Sequence, residues 1–245
     1  EQEDRINSYI AVAALHDRDY EGAVNAYDKI DELDDDMVLN YMKANYLRAN
    51  QLVSSGSYRM AIPCLKAAAY YSERSSRFNQ LSRFWLAESY YRNDQYDDAI
   101  SVFTDLYNTS ALYGQPESYL MTYNIAYSHF KKADYAAALK WFDEYLKEPV
   151  TDYRKEALTR RADCYFIDKK YKEAAAAYDL VLDDYFNVND IYPYYQAALA
   201  YGLSKKTAEK IDLLSNVMEV EAVLKCLLLP LFGLILLLSL IIPAE

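Results

Sequence analysis

The chain has 245 residues, 53% of them hydrophobic, with only 5 Gly and 6 Pro, so it is neither a disordered polymer nor a fold built from tight turns. A net charge of −11 at pH 7 argues against nucleic acid as the main partner, because phosphate binding needs a basic surface. The three cysteines (Cys64, Cys164, Cys226) are odd in number and lack CxxC spacing, so they supply neither a disulfide framework nor a zinc site; Cys64 and Cys164 are expected as small buried hydrophobes.

In chain order, an eight-residue pattern opens at Tyr20 with "YEGAVNAY", returns in looser form at Tyr58 with "YRMAIPCL", and is restated at Tyr96 ("YDDAISVF"), Tyr135 ("YAAALKWF") and Tyr171 ("YKEAAAAY"). "TAEKIDLL" at Thr207 is a degenerate sixth copy, and successive openings lie 38, 38, 39, 36 and 36 residues apart. A period in this range signals a stack of helical hairpins. Nine residues before each opening stands an alanine: Ala11, Ala49, Ala87, Ala126, Ala162 and Ala198. Three residues after it come Ala23, Ala61, Ala99, Ala138 and Ala174, with Lys210 in the sixth copy. Seven after it come Tyr27, Leu65, Phe103, Phe142, Tyr178 and Leu214. Spacings of three and four keep such residues on one helical face. Alanines then let two helices approach while the large residue one turn on fills the neighbouring gap. The tyrosine closes the turn between the helices, its ring packed and its hydroxyl wet. No single hairpin buries its own apolar face, so stacking in series supplies the core.

This arrangement resembles the tetratricopeptide repeat, over residues 4 to 220 in six copies. The resemblance implies an all-α, right-handed superhelix of about six helix-turn-helix repeats, near 4–41, 42–79, 80–118, 119–154, 155–190 and 191–220. Residues 1–220 would form the repeat domain and 221–245 a hydrophobic C-terminal segment. There are departures: no copy has the family's first-helix tryptophan, alanine replaces its glycine, and only Pro149 resembles the terminal proline.

The resemblance also implies a concave groove lined by the first helix of each repeat. Carried onto this chain, its second repeat contributes Lys43, Tyr46 and Asn50, and its third Phe84, Trp85, Tyr91 and Arg92. The fourth contributes Tyr123, Asn124, Tyr127 and Lys131, and the fifth Arg160. Over all repeats the groove face carries five basic residues (Arg5, Lys43, Arg92, Lys131, Arg160) against three acidic ones (Glu88, Glu156, Asp163), a balance of +2 in a chain of −11. Aromatic anchors beside Arg or Lys suit a peptide-binding surface. The expected partner is a protein or peptide, an apolar segment with some acidic character; the bland alternative is that several of these aromatics only pack between helices. The carboxylate clamp of chaperone-binding members is incomplete, since Asn50 is followed by Trp85, and Asn124 by Arg160 with Glu156 where a lysine belongs.

Catalysis finds little support. His129 aligns with Tyr90 and Tyr165 and reads as a core histidine, and His16 has no Glu-x-x-His partner. "DELDDD" at 31–36 lacks the mid-loop Gly and closing Glu of a calcium loop and reads as a solvated acidic linker. No cofactor or metal is expected.

After Glu221 the composition changes. Cys226–Ile242 is 17 residues without a charge, about 25 Å as a helix and a little short of a bilayer core of roughly 30 Å; Ala222–Ala244 would reach across with Lys225 snorkelling. It reads as a membrane anchor, a segment that caps the last repeat or fills another copy's groove, or a stretch foreign to the array. The repeat lengths and "YGLSKKTAEKIDLL" are similar to exported bacterial repeat proteins, so the cell envelope or periplasm is favoured over the cytoplasm. The expected function is an interaction scaffold; its rivals are a self-assembling or membrane-tethered envelope component and a regulatory subunit of a separate enzyme.

Overall fold

A computed structural model describes residues 2–73, 76–147, 152–185 and 190–215. Pro149 and the apolar run 226–242, on which the anchor reading rests, lie outside them. The described residues form helices and no strand. In the first unit of the chain, which ends at Ala157, the hairpins are α1 (Gln2–His16) with α2 (Tyr20–Tyr27), α3 (Asp35–Ser54) with α4 (Tyr58–Tyr70), α5 (Arg77–Arg92) with α6 (Tyr96–Asn108), and α7 (Pro116–Lys131) with α8 (Tyr135–Leu146). Each of these helices packs on the next in sequence. The boundary falls inside α9 (Arg154–Ile167), and the second unit, from Leu158 on, adds α10 (Tyr171–Asp184), α11 (Tyr192–Leu203) and a helical run from residue 207 to 215.

The repeated residues fall where the two-helix argument puts them. Tyr20, Tyr58, Tyr96, Tyr135 and Tyr171 each open the second helix of a hairpin and are half-buried. Ala11, Ala49, Ala87, Ala126 and Ala162 are 0% exposed and Ala198 2%, and the second-helix alanines at 23, 61, 99, 138 and 174 are all 0% exposed. With no side chain beyond Cβ, these positions set how near the helices come. The large residues beside them are buried too: Tyr27, Leu65, Phe103, Phe142 and Tyr178 are at most 1% exposed. Burying one such side chain stabilises the fold by about 1.5–3 kcal/mol. Ala11, Tyr27 and Ala44 anchor one cluster of the first unit, and Leu65, Phe84, Phe103 and Ile125 another. In the second unit Ala162, Tyr178 and Ala197 share a cluster. Cys164 is buried and Cys64 half-buried, its thiol pushed up by burial.

The turns within hairpins share one device. Two residues before each opening position the backbone is left-handed: Arg18 (φ 61°), Gly56 (75°), Asp94 (59°), Ala133 (60°), Lys169 (59°) and Lys205 (65°). At each, paired hydrogen bonds close the helix C-terminus in the Schellman pattern. Thus Ala133 N–H donates to Phe130 O at 3.0 Å and Asp134 N–H to His129 O at 3.0 Å, while Gly56 and Ser57 do the same to Val53 O (3.0 Å) and Leu52 O (2.7 Å). Only one of these six residues is glycine, the residue such a turn favours. Caps are more varied. Asp19 and Asp134 accept from Gly22 N–H (2.9 Å) and Ala137 N–H (3.3 Å), whereas Ser57, Gln95 and Lys170 make no side-chain cap bond.

In the "DELDDD" linker Asp34 caps α3, accepting from Met37 N–H at 2.8 Å, and Asp35 and Asp36 sit in its first turn, where negative charge complements the helix dipole. Among the described residues no helix is long and apolar enough to cross a membrane.

Candidate functional site

Apolar and small residues on the inward faces of α5 and α7 turn the opposite faces of these helices outward together. The result is a cavity of about 520 Å³ in the first unit. From α5 it takes Phe84, Trp85, Glu88, Tyr91 and Arg92, and from α7 Leu120, Tyr123, Asn124, Tyr127 and Lys131. Each set recurs at three and four residues, so each is one stripe of a helix. Val53 of α3, Tyr58 of α4 and Tyr153 of the segment before α9 complete the wall.

A polar bracket crosses the floor. Glu88 Oε1 accepts from Arg92 Nε at 2.8 Å, and its Oε2 accepts from Asn124 Nδ2 at 2.9 Å, so one carboxylate ties α5 to α7. The Glu88 side chain is 12% exposed, and Asn124 is 7% exposed. Tyr127 OH donates to Glu156 Oε1 at 2.6 Å. Arg92 lies over the rings of Tyr58 (6.0 Å) and Tyr91 (5.7 Å), and Lys131 Nζ over Tyr127 (6.0 Å).

The tyrosines form a continuous aromatic wall. Tyr91 meets Tyr127 edge to face, centroids 6.3 Å apart at 83°, and Tyr123 stacks on Tyr153 at 5.0 Å and 23°. Burial is the main force pushing the Tyr91 and Tyr123 hydroxyls above the ordinary phenol range, and Tyr127 beside both adds to it. At neutral pH these groups are therefore protonated and able to donate.

Eight of the twelve residues singled out from the sequence line this cavity: Phe84, Trp85, Tyr91, Arg92, Tyr123, Asn124, Tyr127 and Lys131. Phe84 does so mostly as core, 2% exposed and packed edge-on to Trp85 and Phe103. Lys43, Tyr46 and Asn50 lie on α3 away from it. Lys43 is exposed, Tyr46 packs its ring on Phe78 at 4.9 Å, and Asn50 faces a separate depression with Tyr20 and Arg48. Arg160 belongs to the second unit, where its Nη1 is 2.6 Å from Asp163 Oδ2 and its guanidinium lies 5.6 Å from the Tyr192 ring centroid. Asp163, 5% exposed, also accepts from Tyr178 OH and from Tyr192 OH at 2.9 Å, so this carboxylate joins α9, α10 and α11. Tyr153 joins the wall from a linker outside any helical stripe, so periodicity gave no signal for it; Tyr58 was visible as a repeat opener and not as a wall.

His129 is half-buried with Nδ1 3.1 Å from Asp134 Oδ2, and His16 is exposed beside Asp17. Among the described residues no group of three or more His, Cys, Asp or Glu is placed to hold a metal ion.

Antiparallel helical hairpins repeated in register, with small residues at each crossing, define a helical-repeat protein. The tetratricopeptide repeat family matches it over residues 46–112 and 86–152, and the chain is a tetratricopeptide repeat protein. No curated protein matches it in sequence. Among solved structures it is similar to the nearly identical repeats of a putative kinesin light chain from Podospora anserina, at 14% identity over 76% of this chain and 96% of that one, TM-score 0.58. It is similar also to MamA from Desulfovibrio magneticus (16%, 74% and 95%, TM-score 0.60). A third is YrrB, described as a repeat protein with an unusual peptide-binding site (14%, 82% and 90%, TM-score 0.60). At these identities the likeness is one of fold.

Proposed function

We propose that the chain is a non-catalytic protein-binding scaffold whose α5–α7 face binds a peptide segment of a partner. The observation that supports this most directly is the cavity itself, an aromatic wall with Lys131 at an exposed position on its lining and no ion-pair partner for that lysine among the described residues. Rigid repeats present such a wall preformed, so binding orders little on the scaffold side. The test is affinity capture from lysate of the source cells with the full chain and with Lys131→Glu/Tyr123→Phe, checked for unchanged helicity. A protein held by the first and lost from the second supports the reading; equal recovery on both baits removes this face from it.

A second reading, tethering at a membrane of the bacterial cell envelope, is favoured by the uncharged sequence Cys226–Ile242. Liposome flotation of the chain with and without 221–245 tests it, and equal flotation of the two rejects it.

A further inference from the structure

The hydrogen-bonding inventory of the α5–α7 cavity is one-sided. Among the described residues Glu88 is the only acidic side chain of its lining, and both of its oxygens are engaged. Among the described residues the hydroxyls of Tyr91 and Tyr123 and the Trp85 indole N–H make no hydrogen bond, and Lys131 makes no ion pair. Trp85 and Lys131 can only donate and the phenols donate or accept; the one vacant obligate acceptor among the described residues is Asn124 Oδ1, whose amide nitrogen is spent on Glu88, so donors outnumber acceptors. The matching ligand therefore shows carbonyl oxygens and few N–H groups.

An ordinary extended peptide brings one N–H per residue, which an aromatic wall leaves unpaired. A helical segment spends its carbonyls within its own ladder. A proline-rich segment in the polyproline II conformation does neither. Its prolines lack N–H, its carbonyls point outward, and its pyrrolidine rings are flat apolar faces. The wall suits such faces. The right-angled Tyr91–Tyr127 pair makes a corner, and the stacked Tyr123–Tyr153 pair a flat flank. A segment already ordered as polyproline II also loses little freedom on docking.

We propose that the α5–α7 cavity takes a proline-rich polyproline II segment bearing one acidic side chain, which meets Lys131. This rests on reading the face as a peptide site. The Tyr91 and Tyr123 hydroxyls donate to successive ligand carbonyls, and the rings between them receive the pyrrolidines.

The experiment is selection of a displayed library of random nine-residue peptides on the full chain, followed by fluorescence anisotropy with the enriched peptides. The expected winners are rich in proline with an Asp or Glu among them. Tyr91→Phe and Tyr123→Phe, which keep the rings, each weaken binding about three- to tenfold. Lys131→Glu weakens the acidic peptide more than its amide counterpart. Tyr96→Phe, whose hydroxyl donates to Asp94 away from the cavity, changes nothing. Proline-free winners weakened by the same Phe substitutions overturn the polyproline assignment and leave the peptide site standing. Winners indifferent to those substitutions, or no winners, overturn both.

Discussion

Ala133→Gly should stabilise the chain, although glycine at most other helical positions here would weaken it. Ala133 holds φ 60° in the turn between α7 and α8 and is exposed, so its methyl group contributes little burial. A side-chain-bearing residue in the left-handed region is disfavoured by about 1–2 kcal/mol. Glycine removes that strain and adds about 0.4–1 kcal/mol of unfolded-state entropy. Strain relief wins, leaving a net gain of roughly 0.5–1 kcal/mol. Gly56→Ala is the reciprocal change. There φ is 75°, and an added Cβ would meet nothing within 4 Å, so only the backbone conformation opposes it. It should cost about the same amount. Both follow from urea titration of the full chain by circular dichroism. Repeat arrays also open in parts, so hydrogen exchange at the Ala133 and Asp134 amides, which bond to Phe130 O and His129 O, reports the turn itself. A lower midpoint for Ala133→Gly, or a higher one for Gly56→Ala, would refute the claim that left-handed strain governs these turns.

Phe142→Ala, at a fully buried site, should cost about 3–5 kcal/mol in the same titration, whereas truncating the exposed Tyr113 should change little. Ala87→Leu puts a large side chain where exposure is 0% and should cost about 1–3 kcal/mol by forcing α5 from its neighbours. Asp163→Ala leaves the buried Tyr178 hydroxyl without its acceptor and unties α9 from α10 and α11, and should cost about 1–3 kcal/mol; Tyr178→Phe, which removes one of three donors to that carboxylate, should cost less, and equal losses would contradict the network. Tyr192 is pushed up to about 12, first by burial and then by the Asp163 charge. Its folded value lies above its unfolded one, so the stability it contributes is complete below pH 10 and is lost as pH rises through about 12. Joint tyrosinate absorbance and circular dichroism should show Tyr192 ionising late, by difference against Tyr192→Phe; ionisation at the ordinary phenol value would contradict the contact of its hydroxyl with Asp163.

The parts of this molecule that repeat were legible because packing imposes period. An alanine nine residues before each opening tyrosine and another three after it are two faces of one crossing, and a crossing tolerates only small residues. The turn chemistry was not legible in the same way. A C-terminal left-handed residue announces itself in sequence as glycine, and here Arg18, Asp94, Ala133, Lys169 and Lys205 hold the conformation against preference, carried by the paired Schellman bonds and, in all but the last, by the packing of the tyrosine two residues on.

Polar positions on the first helices divide for a related reason. Glu88 and Asp163 occupy equivalent places in the third and fifth repeats, so the sequence pattern treats them alike. Their partners do not repeat. Glu88 meets Arg92 one turn along its own helix and Asn124 across on α7, and remains at the edge of a cavity. Asp163 meets Tyr178, which fills the large-residue position that is phenylalanine in the third and fourth repeats, and the hydroxyl it gains draws the carboxylate into the core. A phenylalanine there offers no donor, so the acid above it pairs with Arg92 on its own helix and Asn124 on the next. One oxygen atom on the opposite helix thus decides which partners the acid takes, and a pattern of residue types along one helix carries no trace of it.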